Sequence, residues 1–157
     1  MEENSIELRL EQLKELFEAH KMKALQLELE EMNEFDIAEF LTELGEEDGK
    51  RMATAFRLLS KERGAEVFAE LDAPEQETII NSITDTELAV IIEDMYVDDA
   101  VDMMEELPAN IVKRVMRNAT PATRNLINQY LKYSEDSAGS IMTAEFVDLK
   151  KYMNVRE

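Results

Sequence analysis

Apolar residues return along this chain with a period of twelve. Leu59, Leu71, Ile83, Met95, Leu107, Ala119 and Leu131 stand twelve apart and are all apolar. The residues four and three places before each read Ala55-Phe56, Val67-Phe68, Ile79-Ile80, Ile91-Ile92, Met103-Met104, Val115-Met116 and Ile127-Asn128. Asn128 alone breaks the pattern. Positions three and four apart share one face of a helix, so each unit predicts a short amphipathic helix followed by a turn. The punctuation agrees. Ser60, Thr84 and Thr120 each follow a repeat position and suit N-caps, and Thr84-Asp85-Thr86-Glu87 matches a capping box. Pro74 and Pro121 fall near helix starts, where a missing N–H costs nothing. Gly45 suits a helix C-terminus.

Upstream, Ile37-Ala38-Glu39-Phe40-Leu41-Thr42-Glu43-Leu44 resembles Gly64-Ala65-Glu66-Val67-Phe68-Ala69-Glu70-Leu71, at a looser spacing of 27 residues. Before that, Ile6, Leu10, Leu13 and Phe17 mark a longer first helix, followed by another over 22–32. Isolated helices shorter than about 12–15 residues are marginal in water. These must therefore stack, each pair covering the next. The expected fold is all-α: a right-handed superhelical stack of short antiparallel helix pairs from residue 6 to about 133. After Tyr133 the pattern stops. Ser134-Glu135-Asp136-Ser137-Ala138-Gly139-Ser140 is polar with turn chemistry, and Ala144-Glu145-Phe146-Val147-Asp148-Leu149 alternates as a strand does. A strand without a partner predicts the opening of a second domain over residues 134–157.

Composition narrows the chemistry. The 157 residues are 45% apolar and 34% charged, which suits one globular domain with a core. The absence of cysteine excludes disulfides, thiolate catalysis and Cys-based zinc sites, and a single histidine, His20, excludes most His-dependent chemistry. His20 follows a predicted helix end, where it complements the dipole. No apolar run approaches the roughly 18 residues a membrane helix needs, and the acidic start Met1-Glu2-Glu3-Asn4 is unlike a signal peptide. A cytosolic, reducing compartment fits. No catalytic constellation stands out, and a non-enzymatic role is expected.

Charge is where the chain is most unusual. Between Gly64 and Val112 there are fourteen Asp or Glu residues and no Lys or Arg, which supplies -14 of the formal -19. Nucleic acid is therefore an unfavourable partner. A basic block follows: Lys113, Arg114, Arg117, Arg124 and Lys132, with no acid from Pro108 to Ser134. Either the two blocks attract across neighbouring helices, or the basic face meets something acidic elsewhere.

The densest acidic knot is Asp98-Asp99-Ala100-Val101-Asp102. On a helix, Val97, Ala100, Val101, Met104 and Leu107 form one stripe, with Asp98, Asp99, Asp102, Glu105 and Glu106 opposite. Asp98 and Asp102 are i and i+4, so their carboxylates converge. Oxygen-only ligands suit hard cations, and Mg²⁺ is often held by one or two carboxylates plus waters. The plainer account is that acids at a helix start complement its dipole and that acidic faces are solvated. Met95, Met103, Met104 and Met116 raise a calmodulin-like alternative. The nearest calcium loop, from Ser134 to Glu145, fails at two ligand positions, Ser134 and Ala138, and the methionines fall on the repeat's buried positions.

Four segments carry a family resemblance. Ile37-Ala38-Glu39-Phe40-Leu41, Ala65-Glu66-Val67-Phe68-Ala69-Glu70-Leu71, Asp98-Asp99-Ala100-Val101-Asp102-Met103-Met104-Glu105-Glu106-Leu107-Pro108 and Tyr133-Ser134-Glu135-Asp136-Ser137-Ala138-Gly139-Ser140-Ile141-Met142-Thr143 resemble, in order and spacing, the cytosolic N-terminal part of MgtE-type magnesium transporters. The resemblance implies a superhelical N domain over residues 1–133 and, over 134–157, a linker and the beginning of a first CBS domain. It implies a Mg²⁺-sensing regulatory role: ions bridge the acidic face to the CBS domains, and the closed assembly holds the membrane pore shut. The partners it implies are the CBS and transmembrane domains of the same transporter, as a homodimer, on the cytoplasmic side of the cell membrane. By motif position, Asp98 and Asp102 match interdomain ion ligands, with Asp99 beside them. Glu66 matches an ion-bridging acid, and Gly139 a backbone-oxygen donor. The implied cofactor is weakly bound Mg²⁺, with Mn²⁺ or Ca²⁺ as substitutes. The alternative is a helical-repeat scaffold that binds a protein partner without sensing ions, since flagellar rotor switch proteins use comparable stacked helices.

Overall fold

A computed structural model describes residues 2–134 and 137–143. Among them are ten α-helices and one 3-10 turn, with no strand. The helices are α1 (Glu2–Glu18), α2 (Met22–Glu30), α3 (Glu34–Glu47), α4 (Gly49–Phe56), α5 (Lys61–Ala69), α6 (Ala73–Ser82), α7 (Asp85–Asp94), α8 (Val97–Glu106), α9 (Ala109–Asn118) and α10 (Pro121–Tyr130), followed by the turn Ala138–Ser140. The strand expected over 144–149, and the domain it would open, lie outside the described residues.

The twelve-residue period is the helix period. Helices α4 to α10 start at Gly49, Lys61, Ala73, Asp85, Val97, Ala109 and Pro121, each twelve residues after the last. Five of them, α6 to α10, are ten residues long. The caps fall as expected. The side chains of Ser60, Thr84 and Thr120 accept from the amides of Arg63, Glu87 and Thr123, and Thr84 with Glu87 completes a capping box. Pro74 and Pro121 occupy first-turn positions.

One punctuation mark acts differently from expectation. Gly45 does not end a helix; it lies inside α3, and a Cβ there would stand 2.9 Å from Met52 Sδ. Its role is close approach between α3 and α4. His20, at φ 54°, is the one non-glycine residue of positive φ among those described. Its amide and that of Lys21 donate to Phe17 O and Leu16 O at 3.0 and 2.9 Å, a Schellman-type closure of α1.

Packing follows the repeat. α1 packs on α2 and α3, and α3 on α4. Beyond these, alternate helices are the main partners: α3 with α5, α4 with α6, α5 with α7, α7 with α9 and α8 with α10. Most helices from α3 on thus cover the one two places along, as in a solenoid. The repeat positions Leu71, Ile83, Met95, Leu107 and Ala119 are buried, as are nearly all the residues four and three before them. Leu59 and Met116 are half-buried. Leu131 is exposed, and Asn128, the break in the pattern, also faces solvent. Phe56 and Phe68 meet edge to face at 6.1 Å between centroids, and buried Gln76 donates from Nε2 to Phe68 O at 3.1 Å, closing the end of α5.

Two substitutions in α5 should move in opposite directions. Phe68→Ala, at a fully buried site, is expected to cost about 3–5 kcal/mol in urea denaturation. Gly64→Ala places a Cβ in ordinary contact, 3.7 Å from Phe56 Cζ, and should stabilise by about 0.5–1 kcal/mol as a helix interior loses a glycine. Destabilisation by Gly64→Ala would mean that α5 sits closer to α4 than described.

Candidate functional site

Helix α8 is amphipathic as its sequence requires. Val97, Ala100, Val101, Met103, Met104 and Leu107 are buried, while Asp102, Glu105 and Glu106 are exposed and Asp98 and Asp99 half-buried. Its N-cap is Tyr96, which makes no side-chain cap, so Asp98 and Asp99 supply the negative charge of the first turn. Asp98, Asp102 and Glu105, at i, i+4 and i+7, line a cleft of about 100 Å³. Tyr130, Tyr133, Gly139, Ser140, Ile141 and Met142 line it with them and with Val101. Thr143 Oγ1 reaches Asp98 Oδ1 at 3.4 Å. Asp99 does not line this cleft.

The carboxylates in the cleft repel one another. Although Asp102 is exposed overall, partial loss of water in the cleft raises its pKa, and the nearby charge of Asp98 raises it further. The cleft's carboxylate, hydroxyl and carbonyl oxygens suit a hard cation, and Met142 is the one sulfur-bearing residue in the lining. The donor set is partial. Among the described residues, no group of three or more His, Asp or Glu side chains is gathered closely enough to hold a metal ion alone. A cation here would need water, hydroxyl, carbonyl or other oxygens to complete its shell.

Glu66 stands apart from this cleft. It is exposed on α5, where Arg63 Nη1 pairs with it at 3.1 Å. Arg63 also pairs with Glu34 at 3.6 Å and donates to Met32 O. Of the five residues expected at a metal site, the structure brings together Asp98, Asp102 and Gly139, and leaves Asp99 and Glu66 off the cleft. Glu105, Tyr130 and Tyr133 complete it. Glu105 was detectable, on the same helical arc as Asp98 and Asp102. Tyr130 ends α10 and Tyr133 follows it, so the place of Tyr133 depends on how the chain turns after that helix.

The acidic and basic blocks do attract across helices. Arg114 Nε and Arg117 Nη2, on α9, pair with Asp85 at 2.9 and 3.3 Å, and Arg114 also donates to Ile80 O and Ile83 O. Arg114 first, then Arg117, holds the Asp85 carboxyl below its usual range. Arg57, at the end of α4, pairs with Glu87 at 2.8 Å. That guanidinium, then the Thr84 amide, lowers Glu87 from 4.5 to about 2. Glu93 accepts from the Thr120 amide and Thr123 Oγ1, both at 2.9 Å.

Ten short helices stacked by alternate packing, with a carboxylate cleft on the eighth, define a helical-repeat domain of acidic surface. The chain belongs to the family of the MgtE intracellular N domain, whose family model matches residues 32–136. The magnesium transporter MgtE of Thermus thermophilus is 30% identical over 149 residues, covering 92% of this chain and 32% of that protein. The chain thus spans about a third of that relative's length. A crystal structure of the soluble part of a magnesium transporter superposes with a TM-score of 0.78 at 22% identity, covering 90% of this chain and 55% of that one, a likeness of fold. The cytosolic domain of the Mg²⁺ channel MgtE, crystallised with ATP, gives 0.73 at 29% identity, covering 86% and 54%. No helix among the described residues is long and apolar enough to cross a membrane.

The two kinds of carboxylate should separate by pH. Asp102 has a folded-state pKa above its unfolded one, so its charged form costs stability above that pKa, and the cost vanishes as pH falls through it. In metal-free buffer, Asp102→Asn should raise the melting temperature at neutral pH, by an increment that shrinks as pH falls through that raised pKa. Glu87 has the opposite sign: its contribution is present above 4.5 and is lost as pH falls toward 2. Arg57→Gln should flatten that acid limb. An Asp102→Asn increment independent of pH would mean the effect is packing, not charge.

Proposed function

We propose that this chain is the Mg²⁺-responsive cytosolic domain of a magnesium channel or transporter, without enzymatic activity. One observation carries the reading: Asp98 and Asp102 face one cleft that disfavours the charge of Asp102. A cation relieves that repulsion, and carboxylates with retained waters are the shell Mg²⁺ prefers. Mn²⁺ and Ca²⁺ are the expected substitutes. Membership of the MgtE intracellular N domain family supports the assignment. In this reading residues 1–133 form the sensing domain and 134–157 lead into a CBS domain.

Gating then follows from electrostatics. Without cations, the acidic face of α8 repels other acidic surfaces of the full-length transporter. With cations, it docks on the CBS domains, within a homodimer at the cytoplasmic side of the membrane. Asp99 adds charge beside the pair, and Gly139 offers a carbonyl. Glu66, already held by Arg63, bridges at a separate point on α5 and must release or share that partner.

The test is a thermal melt of the chain in rising MgCl₂, against CaCl₂ and against NaCl of matched ionic strength. Binding at one site stabilises by about 0.4 kcal/mol at a concentration equal to Kd and about 1.4 kcal/mol at ten times Kd. The latter is roughly 3–5 °C for a domain of this size. We expect a divalent-specific rise at millimolar levels, lost in Asp98→Asn with Asp102→Asn. A rise matched by NaCl means screening alone and favours a scaffold that binds a protein partner.

A further inference from the structure

One wall of the carboxylate cleft is built on an aromatic ring. The turn Ala138–Ser140 lies so close to Tyr133 that a Cβ on Gly139 would collide with three carbons of its ring. Tyr133 is braced in turn by Tyr130 of α10, with centroids 5.6 Å apart and planes at 82°. The turn closes on itself through the amide and Oγ of Ser140, which donate to Ser137 O at 3.1 and 2.8 Å. Beyond it, Ile141 is 85% exposed, so the residues that run on to Thr143 bring little buried surface of their own. The ring is the broad contact that seats this wall opposite Asp98 and Asp102.

We propose that Tyr133 is a positioning residue for the cation, setting where the Gly139 turn and Thr143 stand relative to the two carboxylates. The inference rests on the reading of the cleft as a cation site and adds a residue to it. An ion held by two carboxylates on one helix takes its remaining oxygens from water or from the opposite wall. For Mg²⁺ those distances tolerate little variation. A wall free to drift leaves the ion with the carboxylates and water alone. The contact is made by ring carbons rather than by the phenol oxygen, so phenylalanine should replace tyrosine and alanine should not. Gly139 is the complementary half: only a residue without Cβ lets the turn reach the ring.

Tyr133→Ala, Tyr133→Phe and Gly139→Ala are compared with the wild type in the full 157-residue chain. The first readout is the midpoint of the MgCl₂ dependence of the melting temperature. The second is hydrogen exchange at the Ser140 amide without divalent ions. Groups that orient metal ligands typically change affinity by roughly 10–100-fold when removed. Tyr133→Ala and Gly139→Ala should therefore raise the MgCl₂ midpoint about tenfold or more, and speed exchange at Ser140, while helix content is unchanged. Tyr133→Phe should match the wild type in both. A Tyr133→Ala chain with the wild-type midpoint overturns this inference and leaves the cation site standing. A Tyr133→Phe chain as impaired as Tyr133→Ala overturns the role of the ring. A wild type indifferent to MgCl₂ overturns the cation site and this inference together.

Discussion

A ten-residue helix cannot bury itself, and the rest of this structure follows from that. Three turns present one apolar stripe, and the two-residue links between α6 and α10 leave no room for longer excursions. The stripe must be covered by neighbours, and from α3 on that is met mainly by packing a helix on the one two places along. The core is consequently a continuous file rather than a ball: Phe68, Ile79, Ile80, Leu88, Val115 and Ile127 are all fully buried, though they come from five different helices. A stack of this kind has two ends and two sides, and the position of a residue on it decides which charges it can meet.

The odd-numbered side is clamped by ion pairs. Lys14 of α1 meets Glu43 of α3 at 2.8 Å, Arg63 of α5 meets Glu34 of α3, and Arg114 of α9 meets Asp85 of α7. Each is partly exposed, and pairs of that kind contribute only about 0–1 kcal/mol, so the clamps tune the stack rather than hold it together. Their larger consequence is distribution. The arginines of α9 are drawn to α7, and the acids of α8 that line the cleft face tyrosines and hydroxyls on their other side. The pKa of Asp102 is raised first by loss of water in the cleft and then by the charge of Asp98. Charge left uncompensated beside neutralised neighbours is a local feature of the fold, not a property of composition.

Much of the fold was legible because its signal is periodic. Apolar residues at Leu71, Ile83, Met95 and Leu107 and the caps at Ser60, Thr84 and Thr120 are local requirements of a helix, and local requirements are written where they act. Gly45 was misread because a glycine within three residues of a helix end serves equally for termination or for close packing, and only the position of Met52 separates them. The carboxylates of the cleft were legible for the same periodic reason, being one arc of one helix. Its opposite wall was not. Tyr130, at the end of α10, and Tyr133 and the Ala138–Ser140 turn beyond it meet α8 across about 25 residues of chain or more. No spacing rule encodes that meeting. Glu66 shows the converse: its motif marks it, yet its nearest charged neighbour, Arg63, is a contact that motif reading alone ignores.

The place of the cleft matters as much as its chemistry. A weak cation contributes on the order of 1 kcal/mol, while disturbing a buried position such as Phe68 costs several times that. An ion of that strength cannot rearrange the stacked core. It can bias a contact whose own stabilisation is comparable, and the seat of a three-residue turn on one half-exposed ring is of that size. The cleft lies between the last turns of the solenoid and the chain that follows, with Leu131 uncovered and Ile141 in solvent. A small change in charge balance there would leave the stacked core intact.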